Sequence, residues 1–163
     1  MRIFIAIPFS NETKTKIAVL QKTIRHGYLT AYDNLHLTVA FIGECDYIGI
    51  EILKEIVNKV ETEVFTLEFD HLDSFKSSVL FLGSVENEKL KTLHKKLTSL
   101  LEKENFPIDK REFKGHVTLA RKAKTEKTIL EKSIITKVDR LEIMESRRVH
   151  DKLTYIPLYT RLL

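Results

Sequence analysis

The chain has no tryptophan, a single cysteine, three prolines and five glycines among its 163 residues. The lone Cys45 rules out an internal disulfide, and no Cys/His cluster has zinc-ligand spacing, so a metal-free, cofactor-free fold in a reducing compartment is expected. No run approaches the roughly 18 apolar residues that a membrane span needs. The apolar stretch at the N-terminus, Met1-Arg2-Ile3-Phe4-Ile5-Ala6-Ile7-Pro8, is short and closed by proline, which suits a buried first strand better than a signal sequence. A cytoplasmic address without membrane association follows as the expectation. An excess of one charge is also missing: 27 basic against 23 acidic residues leave a net +4. That balance does not fit a nucleic-acid coat but suits a polyanionic substrate.

The length allows one sizeable core, or two small lobes sharing one, and no linker or low-complexity segment divides it; residues 1–163 are expected to form a single bilobal domain. Ser10-Asn11 caps a helix predicted over 11–25 from Ile17, Leu20 and Ile24, stopped by Gly27. A strand follows over 35–42, closed by Gly43. Leu53, Ile56, Val57 and Val60 mark a second helix. Residues 64–75 and 79–82 read as strands, and Leu90, Leu93, Leu97, Leu100 and Leu101 give the clearest helix, broken at Asn105-Phe106-Pro107. A further strand over 113–120, a short helix around 126–133 and strands over 138–146 and 153–159 complete an α+β plan with approximate internal duplication.

The duplication carries the chemistry. His36-Leu37-Thr38-Val39-Ala40-Phe41 returns as His116-Val117-Thr118-Leu119-Ala120-Arg121, each copy on an apolar strand. Alternation puts His36 with Thr38, and His116 with Thr118, on one face of their strands. A core has no need of the same small polar pair twice, because burying an unpartnered hydroxyl or imidazole costs on the order of 1–3 kcal/mol. A groove between two lobes removes that cost and would bring the imidazoles to one ligand. With a pKa near ~6.5, one histidine can be protonated while the other is neutral, as an acid and a base acting on one phosphate require. Thr38 and Thr118 would hydrogen-bond the non-bridging phosphate oxygens.

Strict alternation turns Phe41 and Arg121 away from the histidine face; a bend would let them supply an aromatic platform and a phosphate-binding guanidinium. Much of the basic excess, Lys110-Arg111, Lys114, Arg121-Lys122 and Lys124, lies near the second motif. His26, His71, His94 and His150 have no repeated context and read as surface histidines.

The blocks from His36 to Glu44, Val79 to Gly83 and Phe113 to Arg121 resemble the signatures of the two-histidine (2H) phosphoesterase superfamily. The opening Arg2 to Pro8 and the late Ile143-Met144-Glu145-Ser146 resemble its RNA 2′,3′-cyclic phosphodiesterase branch, also named 2′-5′ RNA ligases. Gly115 stands where that family more often has proline, and Tyr32 is the aromatic residue ahead of the first histidine. The resemblance implies a bilobal two-histidine phosphoesterase fold of two pseudo-symmetric lobes, with antiparallel sheets lining a central groove and helices outside. It implies metal-independent hydrolysis of a terminal 2′,3′-cyclic phosphate on RNA or oligonucleotide ends to a 2′-phosphate, with His36 as proton donor and His116 as acceptor. Ligation forming a 2′-5′ bond is the reverse reaction. A monomer with no obligate protein partner is expected. The alternatives are a nucleotide or RNA-end binding module without turnover, and a related phosphodiesterase acting on ADP-ribose cyclic phosphate or 2′-5′ oligoadenylate.

Overall fold

A computed structural model describes all residues from Met1 to Leu163. In chain order the elements are β1 (Arg2–Pro8), α1 (Asn11–Gln21), β2 (Tyr28–Leu29), a 3-10 turn (Tyr32–Asn34), β3 (His36–Glu44), α2 (Tyr47–Lys59), β4 (Phe65–Phe75), β5 (Val79–Ser84), α3 (Glu88–Lys103), β6 (His116–Arg121), β7 (Thr128–Val138), β8 (Arg140–Val149) and β9 (Lys152–Leu162).

Ser10 caps α1 through its hydroxyl, which accepts from the Thr13 amide at 3.2 Å. The helix ends at Gln21, short of the expected residue 25, where the backbone tightens into bonds from the amides of Lys22, Thr23 and Ile24 to the carbonyls of Val19, Leu20 and Gln21, and the Gln21 side chain turns inward. Its Nε2 donates to the carbonyls of Thr30 and Leu119 at 2.9 and 3.0 Å. Ile24 still packs against the core without being helical. α2 and α3 follow their apolar stripes, burying Ile50, Leu53, Ile56 and Val57 on one and Leu90, Leu93, Leu97 and Leu101 on the other.

Two antiparallel sheets result, one ordered β3-β1-β8-β9 and the other β2-β6-β5-β4-β7. The plan repeats: β1, α1 and the histidine strand β3 correspond to β5, α3 and the histidine strand β6. Two crossings interlock the lobes. β2, from the segment leading into β3, joins the sheet of β6, and the C-terminal hairpin β8–β9 joins the sheet of β1. The main core cluster of 31 buried residues draws on both sheets and all three helices.

One predicted element is wrong. The short helix expected around 126–133 is part of the strand β7, paired with β4 from Phe65↔Val138 to Leu72↔Thr128. Residues 130–133 bulge out between the pairs Phe69↔Ile134 and His71↔Ile129. That loosely paired, charged stretch imitates a short amphipathic helix, while the β-branched residues on either side hold the strand.

Candidate active site

Both histidine strands carry a bulge at the same place. In β3 the register runs Thr38↔Ala6 and then Ala40↔Ile5, leaving Val39 extra. In β6 it runs Thr118↔Phe81 and then Ala120↔Leu80, leaving Leu119 extra. One extra residue reverses the parity of everything after it. Phe41 and Arg121 therefore return to the histidine face, and the expectation that alternation turns them away is corrected. Phe41 is 51% exposed, and both residues line a cavity of about 900 Å³ with Thr38, Thr118 and His116. His36 is not in that lining; its Nε2 lies 2.8 Å from the hydroxyl of Thr38, which is.

The two imidazoles are anchored alike. Nδ1 of His36 bonds the Asn34 carbonyl at 2.7 Å, and Nδ1 of His116 bonds the Lys114 carbonyl at 2.7 Å. A carbonyl can only accept, so each Nδ1 carries hydrogen and each neutral ring offers the lone pair of Nε2. Thr38 donates to that lone pair on His36, whereas Nε2 of His116 and the Thr118 hydroxyl have no partner within the protein.

Each ring also stands between two aromatic side chains. Phe4 and Tyr155 lie 5.0 Å from His36, centroid to centroid. Phe75 and Phe81 lie 5.0 and 5.4 Å from His116. These low-dielectric walls disfavour the charged imidazolium. Burial is the main cause that lowers the His36 pKa to about 4, opposed by the bond that Nδ1 donates to the Asn34 carbonyl and aided by the nearby His116 and Arg121. Burial lowers His116 as well. Thr38, bonded to His36, lines the same cavity as His116, Thr118 and Arg121, so the two distant motifs face one groove.

Asn34 does more than offer a carbonyl. Its amide nitrogen donates to the Leu153 carbonyl at 2.8 Å, and its amide oxygen accepts from the Tyr155 backbone at 3.3 Å. This side chain bridges the start of β3 to the far edge strand β9 and fixes the backbone that carries Tyr155 beside His36. Asn34, Phe4, Tyr155, Phe75 and Phe81 were not singled out in the sequence. Phe4 and Phe81 could have been found by alternation on their strands, but nothing local to Tyr155 points to His36.

Gly115, in place of the commoner proline, is explained by packing: a Cβ there would lie 2.6 Å from Cδ2 of Leu90 on α3. Two histidines depart from the surface reading. His71 is half-buried with its Nδ1 2.7 Å from Asp70, over Gly83, and His94 stacks on Phe113 at 4.0 Å along the cavity wall. His26 and His150 are exposed. No group of three or more His, Cys, Asp or Glu side chains is placed to hold a metal ion, and no helix is long and apolar enough to cross a membrane.

Comparison with known proteins agrees with this geometry. The sequence pattern of the 2′-5′ RNA ligase superfamily matches residues 11–150. An RNA 2′,3′-cyclic phosphodiesterase of Methanocaldococcus jannaschii is 31% identical over 131 residues, spanning 74% of this chain and 71% of its own. A protein of the same name from Escherichia coli is 31% identical over 133 residues, spanning 78% and 76%. The crystal structure of E. coli LigT complexed with 3′-AMP superposes with a TM-score of 0.91 at 27% identity, covering 99% of this chain and 97% of that one.

Proposed function

The chain belongs to the 2′-5′ RNA ligase superfamily, and from that premise we propose that it is an RNA 2′,3′-cyclic phosphodiesterase whose two imidazoles act as acid and base on the terminal cyclic phosphate of an RNA strand. The observation that carries this reading is the matched anchoring of His36 and His116: each Nδ1 is tied 2.7 Å from a carbonyl two residues upstream, in a groove whose cavity both threonines line.

In the reaction, water attacks phosphorus and the bond from phosphorus to the 3′ oxygen breaks. Nε2 of His116, which has no partner in the protein, takes the proton from water. His36 delivers a proton from Nε2 to the departing 3′ oxygen, leaving a 2′-phosphate. Exchange with solvent then resets both rings. Each positioned proton transfer is worth roughly 10²–10⁴ in rate. Thr38 and Thr118 hydrogen-bond the non-bridging oxygens, and the Arg121 guanidinium adds charge-assisted bonds to them. Phe41 offers a face to the terminal base.

The low pKa of His36 opposes protonation in the empty groove. A bound cyclic phosphate puts a negative charge beside the ring and raises its pKa, so binding and protonation are coupled. The test is hydrolysis of a nucleoside 2′,3′-cyclic phosphate in EDTA by wild type, His36→Ala and His116→Ala, with the product isomer identified. Formation of the 2′-phosphate by wild type and its loss in both variants is expected. Tight binding of the cyclic nucleotide without turnover by wild type would sink the enzymatic reading.

A further inference from the structure

β2 is a two-residue strand, easily overlooked, yet the backbone around it is closely built. Tyr28 pairs with Arg121 and Leu29 with Ala120. The Thr30 amide donates to the Leu119 carbonyl at 2.9 Å, and Gln21 bonds both the Thr30 and Leu119 carbonyls. Gly27, with φ at +83°, fits so tightly that a Cβ there would lie 2.2 Å from the Arg121 carbonyl oxygen. Residues directly opposite in an antiparallel pair project to the same face. Arg121 lines the cavity, so Tyr28 rises on the groove side of the sheet, one strand spacing of about 4.8 Å beyond it.

The Tyr28 ring is 69% exposed. Its aromatic or cationic neighbour is the Lys122 ammonium, 5.6 Å from the ring centroid. An anchored backbone thus presents an exposed aromatic ring with the Lys122 ammonium over it, on the strand paired with that of Arg121. Those are the components with which proteins bind single-stranded nucleic acid: bases stack on aromatic rings while nearby positive groups follow the phosphates. Tyr28 is outside the cavity lining. Phe41, on the first lobe, is already within that lining for the terminal nucleotide. Tyr28 thus stands one strand beyond the cavity-lining Arg121, on the side where a longer RNA strand can continue.

We propose that Tyr28 and Lys122 form a second nucleotide subsite, stacking the base on the 5′ side of the terminal cyclic phosphate nucleotide, so that the favoured substrate is an oligoribonucleotide end and not a free cyclic mononucleotide. This rests on the phosphodiesterase reading above. The test compares wild type, Tyr28→Ala and Tyr28→Phe on adenosine 2′,3′-cyclic phosphate and on a diadenosine dinucleotide ending in a 2′,3′-cyclic phosphate. Tyr28→Ala should raise KM for the dinucleotide about tenfold, within the range of base–aromatic stacking. Its kcat, and both constants for the mononucleotide, should be unchanged, and Tyr28→Phe should behave as wild type. An unaltered dinucleotide KM in Tyr28→Ala, or an equal loss on both substrates, overturns the subsite while leaving the phosphodiesterase reading intact. Turnover of neither substrate by wild type removes that reading and the subsite with it.

Discussion

The two histidine cages have a common plan and differ in how firmly they are held. In both, a carbonyl two residues upstream holds Nδ1, two aromatic rings flank the imidazole, and a bulge follows the threonine. The His36 cage is closed by the Asn34 side chain, which ties β3 to β9, and its Nε2 is already bonded to Thr38. The His116 cage hangs from the exposed Lys114 at the end of the segment linking α3 to β6, and its Nε2 is free. The same local chemistry is thus preorganised on one wall and left open to the incoming molecule on the other. This division suits a site in which the charge of a bound phosphate raises the proton affinity of one ring while the other is ready to accept a proton from water.

Loss of either ring should have the greatest consequence. His36→Gln and His116→Gln should each lower kcat by roughly 10²–10⁴, and the double variant should fall little further, because one proton relay needs both ends. Strictly additive losses in steady-state kinetics would mean that the rings act on separate steps.

Acid stability separates the cages next. The folded His36 pKa of about 4 lies below the ordinary 6.5, so the unfolded chain binds the proton more readily. His36 therefore supports folding fully above pH ~6.5 and less as pH falls toward ~4, a loss of about 3 kcal/mol at 1.36 kcal/mol per pH unit. Denaturant unfolding of wild type and His36→Gln at pH 7 and pH 4.5 checks this: the variant should lose less stability between the two.

The bridging side chain gives a smaller effect. Asn34→Ala removes two hydrogen bonds and strands two backbone groups of β9, which costs about 1–3 kcal/mol, and it should lower kcat with little change in KM. Lys114→Ala keeps the anchoring carbonyl and should leave stability and kcat near wild type. Equal behaviour of the two variants would show that the Asn34 bridge adds nothing to its carbonyl.

The sequence made the reactive groups legible because they are written twice in the same phase on strands whose periodicity is plain. The leucine stripe of α3 was readable for the same reason, as a long regular signal. What escaped depends on irregular or distant pairing. The bulges at Val39 and Leu119 reverse the side of Phe41 and Arg121, and a parity argument cannot register an inserted residue without its partner strand. Residues 130–133 of β7 looked helical because they leave the ladder there. The aromatic walls come from strands far apart in the chain, so Tyr155 gives no local hint of His36. β2 is too short to show a period.

Two half-buried imidazoles, both neutral in the empty groove, hold one proton between them once a phosphate is bound. Nitrogen-15 NMR of the histidine rings at pH 7, with and without bound 2′-AMP, tests it directly. Two neutral rings protonated at Nδ1 are expected in the free protein, and a second proton on His36 alone in the complex. Two rings that stay neutral with 2′-AMP bound, or two that are already charged without it, would contradict it.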